Sequence, residues 1–130
     1  MEVFDKNGNE LNVPAKVEIM EMTNSVTGLN AYIYIYGNIV SIRIIGTTAI
    51  TLGTSEQYSR IGTSSIIKQL SSDSGSMIKR TFLTNFIFGQ VVIDKATGDV
   101  KIGYTRNIED NTPTSIPQGT AIYAYETYVL

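Results

Sequence analysis

The sequence predicts an all-β protein, a single antiparallel β-sandwich of jelly-roll-like form with no substantial helix. Turn signals recur about every ten residues, and the short runs between them alternate between apolar and polar residues, which is the pattern of sandwiches and barrels. No apolar stripe of helical period extends beyond about two turns. The 130 residues suit one domain, and such a chain buries roughly two-thirds of its unfolded surface.

The N-terminal stretch, residues 3–13, predicts a small hairpin with a turn at Asn7 and Gly8, and Pro14 ends it. We interpret residues 1–14 as an appendage to the main body of the single domain. Residues 16–22 alternate imperfectly and favour a strand over a short helix. A polar loop follows as far as Gly28.

The stretch AYIYIYGNIVSIRII, residues 31–45, predicts a hairpin. Residues 31–36 and 39–45 alternate, and Gly37-Asn38 fits a two-residue turn because glycine adopts positive φ without steric cost. In the second strand Val40, Ile42 and Ile44 share one face. In the first strand every second residue is a tyrosine, namely Tyr32, Tyr34 and Tyr36.

The middle of the chain is less regular. Residues 49–52 predict a short strand closed by Gly53. Residues 54–75 are rich in Ser, Thr and Gly, and we expect long loops there with one short strand at residues 66–70. Residues 77–88, MIKRTFLTNFIF, predict one long strand.

A second hairpin is predicted from residues 90–94 and 99–106, across a loop at residues 95–98. Gly98 ends that loop and supplies a residue of positive φ. We expect a polar loop at residues 107–115, a tight turn at residues 116–120 and a final strand at residues 121–130.

Composition excludes several kinds of chemistry. The chain has no cysteine and no histidine, so disulfides, thiolate nucleophiles and Ser-His-Asp catalysis are impossible, and a zinc site is disfavoured. The carboxylates form no recognisable acid–base pair for glycoside hydrolysis, and no phosphate-binding glycine motif occurs. We therefore expect no enzyme activity, no metal and no cofactor.

Charge and hydropathy also limit the partners. The net charge is −2 and the cations are scattered, which argues against nucleic-acid binding. No apolar run approaches the ~20 residues that span a bilayer, and the polar, acidic N-terminus does not resemble a signal peptide. Low charge with many Ser, Thr, Asn and Gly residues favours an extracellular or particle-surface protein.

Two groups of acidic residues are candidate cation sites. Residues 5–10 place oxygen ligands at alternate positions, but Gly8 and Lys16 occupy the fourth and twelfth positions, whereas an EF-hand needs glycine at the sixth and glutamate at the twelfth. We interpret that stretch as a hairpin turn. Asp94 and Asp99, which flank the second hairpin loop, are interpreted as solvated turn residues.

The tyrosine pattern leaves three interpretations open. The rings could form a half-buried strand face, a subunit interface or a sugar-stacking surface. The final strand repeats the pattern, with Tyr123 and Tyr125 on one face and Tyr128 on the other, so the two tyrosine-rich strands could lie side by side. The candidate oligomer interface consists of Tyr32, Tyr34, Tyr36, Tyr123 and Tyr125.

Loop positions give the candidate ligand-binding residues. Tyr58 and Arg60 stand in the Ser/Thr-rich region, and Arg106 and Asn107 open the later polar loop. Loops at the rim of a rigid sandwich commonly carry ligand contacts. Plain solvation of these loops is the alternative.

The segment GQVVIDKATGDVKIGYTR, the C-terminal IPQGTAIYAYETYVL and the earlier YIYIYGNIVSIRI together resemble the C-terminal head domain of bacteriophage tail-fibre and receptor-binding proteins. The resemblance covers residues 31–45 and 90–130, under half of the chain. It implies a β-sandwich head that assembles as a homo-oligomer, with a trimer favoured, and binds a saccharide or protein of the bacterial surface. The chain departs from that pattern because it has no tryptophan and no repeat-bearing shaft.

The sequence therefore favours a non-enzymatic tip domain of a phage tail fibre or baseplate that attaches to a bacterial receptor, with a saccharide favoured. Its expected location is the virion tail or another extracellular particle surface. A structural or assembly protein of such a particle without its own receptor is the first alternative. A carbohydrate-binding module of a bacterial surface protein is the second.

Overall fold

A computed structural model of the protein describes residues 3–4, 7, 10–11, 16–19, 26–53, 57–71 and 73–130. Two antiparallel four-stranded sheets pack against each other, which confirms the predicted all-β sandwich. The elements, in chain order, are β1 (Val3–Phe4), β2 (Glu10–Leu11), β3 (Lys16–Ile19), β4 (Leu29–Tyr36), β5 (Ile39–Thr47), β6 (Tyr58–Thr63), α1 (Ser65–Leu70), β7 (Ser76–Phe82), β8 (Ile87–Asp94), β9 (Asp99–Asn107) and β10 (Ala121–Val129).

The first sheet has the order β10-β5-β4-β3. Its centre is the predicted hairpin: Tyr36 pairs with Ile39, which leaves Gly37 and Asn38 as the turn, and Gly37 has a φ of +62°. The final strand is also confirmed, since β10 pairs with β5 along its whole length, from Ala121 to Val129.

The predicted N-terminal hairpin and the strand after it are confirmed where the structure describes them. β1 pairs with β2 in a separate two-stranded sheet, and β3 pairs with β4 as a strand. Gly8 of the predicted turn and residues 20–22 of the predicted strand lie outside the described residues.

The second sheet has the order β6-β9-β8-β7. The hairpin of β8 and β9 is confirmed, and Gly98 in its loop has a φ of +79°. The predicted long strand at residues 77–88 is wrong, because the chain turns after β7. The backbone N–H groups of Leu83 and Thr84 both donate to the carbonyl of Ile87, at 3.0 and 3.2 Å, and this turn carries no glycine or proline.

Two further predictions in the middle of the chain are corrected. Residues 66–70 form part of helix α1, not a strand, because Ser64 caps that helix: its Oγ accepts a hydrogen bond from the N–H of Ile67 at 3.1 Å. Residues 58–63, predicted as a loop from the sequence, form strand β6. The short strand expected at residues 49–52 is reduced to one bridge between Leu52 and Ile116.

The core lies between the two sheets and is almost entirely aliphatic. Alternation places one face of each central strand inward, and Ile67 of α1 also contacts this core. β10 contacts β7 and β4 contacts β6 across the layers. The largest fully buried side chains are Leu29, Ile33, Ile42, Ile44, Leu52, Ile61, Ile67, Leu83, Ile93, Ile102, Ile116 and Val40.

Candidate contact surface on the first sheet

The outer surface of the first sheet is lined by aromatic and aliphatic side chains. Strand alternation turns the residues between the buried positions of β4, β5 and β10 away from the core. We call this surface the tyrosine face. Its members are Asn30, Tyr32, Tyr34, Tyr36, Ile39, Ser41, Arg43, Ile45, Thr47, Ala121, Tyr123, Tyr125, Thr127 and Val129.

Strand register arranges these residues in rows. Arg43 on β5 pairs with Tyr32 on one side and Tyr125 on the other, and Ile39 pairs in the same way with Tyr36 and Val129. The expectation that the two tyrosine-rich strands lie side by side is corrected, because β5 separates β4 from β10. All five tyrosines of the predicted interface still share one face.

Exposure varies across the tyrosine face. Tyr32 and Tyr34 are half-buried, which agrees with a structural strand face. Tyr123 and Tyr125 on the edge strand are 58% and 52% exposed, and Val129 is 66% exposed. The packing of this chain therefore leaves much of the apolar area near β10 in contact with water.

Tyr128 belongs to the opposite side of β10, as the alternation predicts. It is buried, and its hydroxyl donates to the backbone carbonyl of Val91 at 2.9 Å. Burial, together with the charge of Glu126, raises the pKa of its phenol. This hydrogen bond links the first sheet to the second and supports the strand that presents Tyr123 and Tyr125.

Tyr58 and Arg60 were expected on a loop, but both lie on strand β6 at the edge of the second sheet. The Tyr58 hydroxyl donates to Oε1 of Gln90 at 2.7 Å, and its ring lies 5.0 Å from that of Tyr104. Burial and Tyr104 raise the pKa of Tyr58. Nη1 of Arg60 lies 3.8 Å from Oδ1 of Asp99.

Arg106 and Asn107 lie at the end of β9. Arg106 donates to the carbonyl of Thr105 at 3.3 Å, and Oδ1 of Asn107 accepts a hydrogen bond from the N–H of Glu109 at 2.8 Å. Tyr58 pairs with Gly103, so Arg106 lies roughly 10 Å further along the strand. The four predicted ligand residues are therefore spread along one sheet, and each makes contacts within the protein.

Two clefts that the sequence did not indicate both include Phe82 in their lining. One, of about 590 Å³, includes Phe86 and Tyr123, and the other, of about 480 Å³, includes Arg80 and Glu126. Phe82 and Phe86 are each 63% exposed. The signal that could have revealed this region is Thr84-Asn85, a polar pair that interrupts the apolar run where β7 turns into β8.

The acidic residues that the structure describes form no group that could hold a metal ion. Asp94 acts as a turn residue, since its Oδ1 accepts a hydrogen bond from the N–H of Ala96 at 3.0 Å. Asp99 differs from the expected solvated residue: its Oδ1 accepts a hydrogen bond from the Thr63 hydroxyl at 2.6 Å and lies near Arg60. Most of the stretch at residues 5–10 lies outside the described residues.

No described helix has the length and apolar character needed to cross a membrane. Comparison of the chain with known proteins gave no match to a protein-family model and none to a curated protein. The function is therefore inferred from the surfaces of this chain.

Proposed function

We propose that the protein is a non-enzymatic attachment domain at the tip of a phage tail fibre, a baseplate or a related particle. In this proposal it recognises a receptor on the bacterial surface, with a saccharide favoured. The tyrosine face is the observation that carries the proposal, and the resemblance of residues 31–45 and 90–130 to tail-fibre heads supplies the biological setting.

A tyrosine-lined sheet suits reversible recognition. Each ring offers a flat apolar surface together with a hydroxyl that can donate or accept a hydrogen bond. Tyr123 and Tyr125 stand on a strand that is paired along its length, so their backbone is ordered before any ligand arrives. Such preorganisation reduces the entropy lost on binding.

The proposal includes a homo-oligomer, with a trimer favoured, because several weak sites on one particle bind with useful avidity. The end of the tyrosine face at the Gly37-Asn38 turn is apolar and exposed, where Tyr36, Ile39 and Val129 form one row. Contact between copies along that row would remove this apolar area from water.

Receptor binding is tested with a glycan array and with adsorption to bacterial cells. Tyr125→Ser removes an exposed ring from the tyrosine face, and Tyr58→Ser is the matched control on the other sheet. We expect the wild type to bind, Tyr125→Ser to lose at least tenfold in affinity and Tyr58→Ser to retain it. The opposite pattern would move the site to β6, and a wild type that binds neither glycan nor cell would refute attachment.

Oligomerisation is tested by light scattering on a sizing column. We expect a trimer for the wild type and a monomer for Val129→Lys, because this exposed position tolerates the substitution in one chain but places a charge between copies. A wild type that is monomeric at micromolar concentration would contradict the homo-oligomer, and glycan binding by that monomer would favour a carbohydrate-binding module.

A structural or assembly role is the second candidate, and the region around Phe82 favours it. Two exposed phenylalanines beside clefts on the β7 side form an apolar surface, and such a surface is typical of contact with another protein. A stable oligomer that binds no glycan and no cell would select this function over attachment.

A further inference from the structure

Arg43 occupies the middle of the tyrosine face. It lies on β5, directly between Tyr32 on β4 and Tyr125 on β10. Its guanidinium carbon is 4.9 Å from the centroid of the Tyr32 ring, in cation–π geometry. Its Nε is buried and has no hydrogen-bond partner among the residues that the structure describes. Arg43 is therefore held by stacking and is not neutralised by a carboxylate in the described part of the chain.

The rest of the tyrosine face carries no compensating charge. Arg43 is the only charged residue among the outward positions of β4, β5 and β10. Glu126 is on β10, but strand alternation turns it away from this face and toward the cleft that includes Arg80. The ion pairs described in the structure, Arg60 with Asp99 and Lys95 with Asp73, involve residues of the second sheet and its adjoining loops.

We propose that Arg43, flanked by Tyr32 and Tyr125, is a subsite for an anionic saccharide. A carboxylate or phosphate of the ligand would bind the guanidinium, whose planar donors match both groups, and an adjacent sugar ring would stack on the exposed ring of Tyr125. This inference deepens the proposed function and rests on it. It specifies the chemical class of the receptor as acidic.

Charge complementarity favours this ligand over a second copy at the same position. A two-fold contact centred on Arg43 would place Arg43 opposite Arg43, and no outward residue of β4, β5 or β10 supplies a carboxylate. Such a like-charge contact is unfavourable. The chain as a whole has a net charge of −2, so general attraction to a polyanion is also disfavoured and binding would depend on the local site.

The test measures the affinity of the purified chain for three polymers by calorimetric titration. Polygalacturonate supplies carboxylates, poly(glycerol phosphate) supplies phosphates, and dextran is neutral. We expect one or both anionic polymers to bind at least tenfold more tightly than dextran, and Arg43→Gln to abolish that preference. Arg80→Gln is the matched control, because Arg80 also stacks on an aromatic ring, that of Phe88 at 5.5 Å, but on the other sheet.

The inference would be overturned if Arg43→Gln kept the preference for anionic polymers, or if Arg80→Gln lost that preference to the same extent. It would also be overturned if Arg43→Gln caused the oligomer to dissociate, because that result would assign Arg43 to contact between copies. Arg43→Lys keeps the charge and should retain part of the preference. Circular dichroism of each variant confirms the fold. If the wild type binds neutral glycans through Tyr125 without any anionic preference, the proposed function stands and this inference fails. If it binds no saccharide but adsorbs to bacterial cells, this inference alone fails, and if it binds neither, both fail.

Discussion

Replacing Tyr128 with phenylalanine tests whether its hydroxyl holds the two sheets together. The side chain is 3% exposed, and its hydroxyl donates to the carbonyl of Val91. The substitution keeps the ring and removes one hydrogen bond, whose net contribution is about 1 kcal/mol. Because Val91 is itself buried, water does not replace the lost donor. We therefore expect Tyr128→Phe to lower the free energy of unfolding by about 1 kcal/mol.

The same substitution should change the response of stability to alkaline pH. Burial raises the pKa of Tyr128 above its ordinary value of 10.0, and Glu126 adds to this. The folded state therefore holds the phenolic proton at a pH where the unfolded chain has lost it, so stability falls as the pH rises above about 10. One such group gives a slope of about 1.4 kcal/mol per pH unit. Phenylalanine cannot ionise, and this part of the loss should disappear.

Urea unfolding followed by far-ultraviolet circular dichroism, at about pH 8 and about pH 11, measures both effects. Tyr58→Phe is the control. The pKa of Tyr58 is also raised by burial and by Tyr104, but the ring is far more exposed than that of Tyr128, so its removal should flatten the alkaline loss less. If the wild type and Tyr128→Phe lose the same stability between the two pH values, burial of this phenol does not set the alkaline limit.

Two further predictions concern a loop and an ion pair. Gly98→Ala should lower the free energy of unfolding by more than about 2 kcal/mol, because positive φ disfavours a side chain and the new Cβ would meet the carbonyl oxygen of Ser64. Gly119→Ala should lower the free energy of unfolding by only about 1 kcal/mol, because Gly119 has a φ of +84° but nothing lies within 4 Å of the new Cβ. Equal urea midpoints for the two variants would contradict the packing argument. The pKa of Asp73 is lowered from its ordinary value of 3.8, chiefly by its hydrogen bond with Lys95. The stability from this pair is therefore lost as the pH falls below about 4. Asp73→Asn should flatten that acid decline in thermal unfolding, and an unchanged acid profile would contradict the role of the pair.

Local sequence signals were sufficient where a run of strand-forming residues lies next to a glycine-containing turn. The hairpin of β4 and β5, the hairpin of β8 and β9 and the final strand, which follows Gly119, are all of this kind. Within β4 and β5 the buried positions are the aliphatic ones of the alternation, and they include Val40, Ile42 and Ile44, which share one face. The period of apolar residues along a strand and the residue types in a turn are local properties of the sequence, so they can be recognised before the fold is known.

The errors arose where local signals were weak or were overridden. The run Ile66-Ile67-Lys68-Gln69-Leu70 is apolar and short, and such runs fit a strand or a helix equally well. The N-terminal cap at Ser64 and the burial of Ile67 stabilise the helix. The turn between β7 and β8 is held by backbone hydrogen bonds to Ile87. No glycine or proline marks this turn in the sequence.

The candidate site could be predicted only in part, for a different reason. The alternation indicated that Tyr32 and Tyr125 each point away from buried neighbours. It could not indicate that Arg43 lies between them, because that row depends on the pairing of β10 with β5, which joins residues about 80 positions apart. Long-range register, not local propensity, brings the cation and the rings together.

Strand β10 carries one tyrosine that the core buries and two that the fold leaves exposed. Tyr128 on the inner side is buried and hydrogen-bonded, so the fold accounts for it completely. Tyr123 and Tyr125 on the outer side belong to the same strand but leave more than half of their surface exposed. Exposed rings in that position contribute little to the stability of the fold, since a polar residue suits an exposed strand edge equally well. The proposed ligand contact gives these rings a role, and the stacked Arg43 beside them, which has no carboxylate partner among the described residues, favours an acidic ligand there.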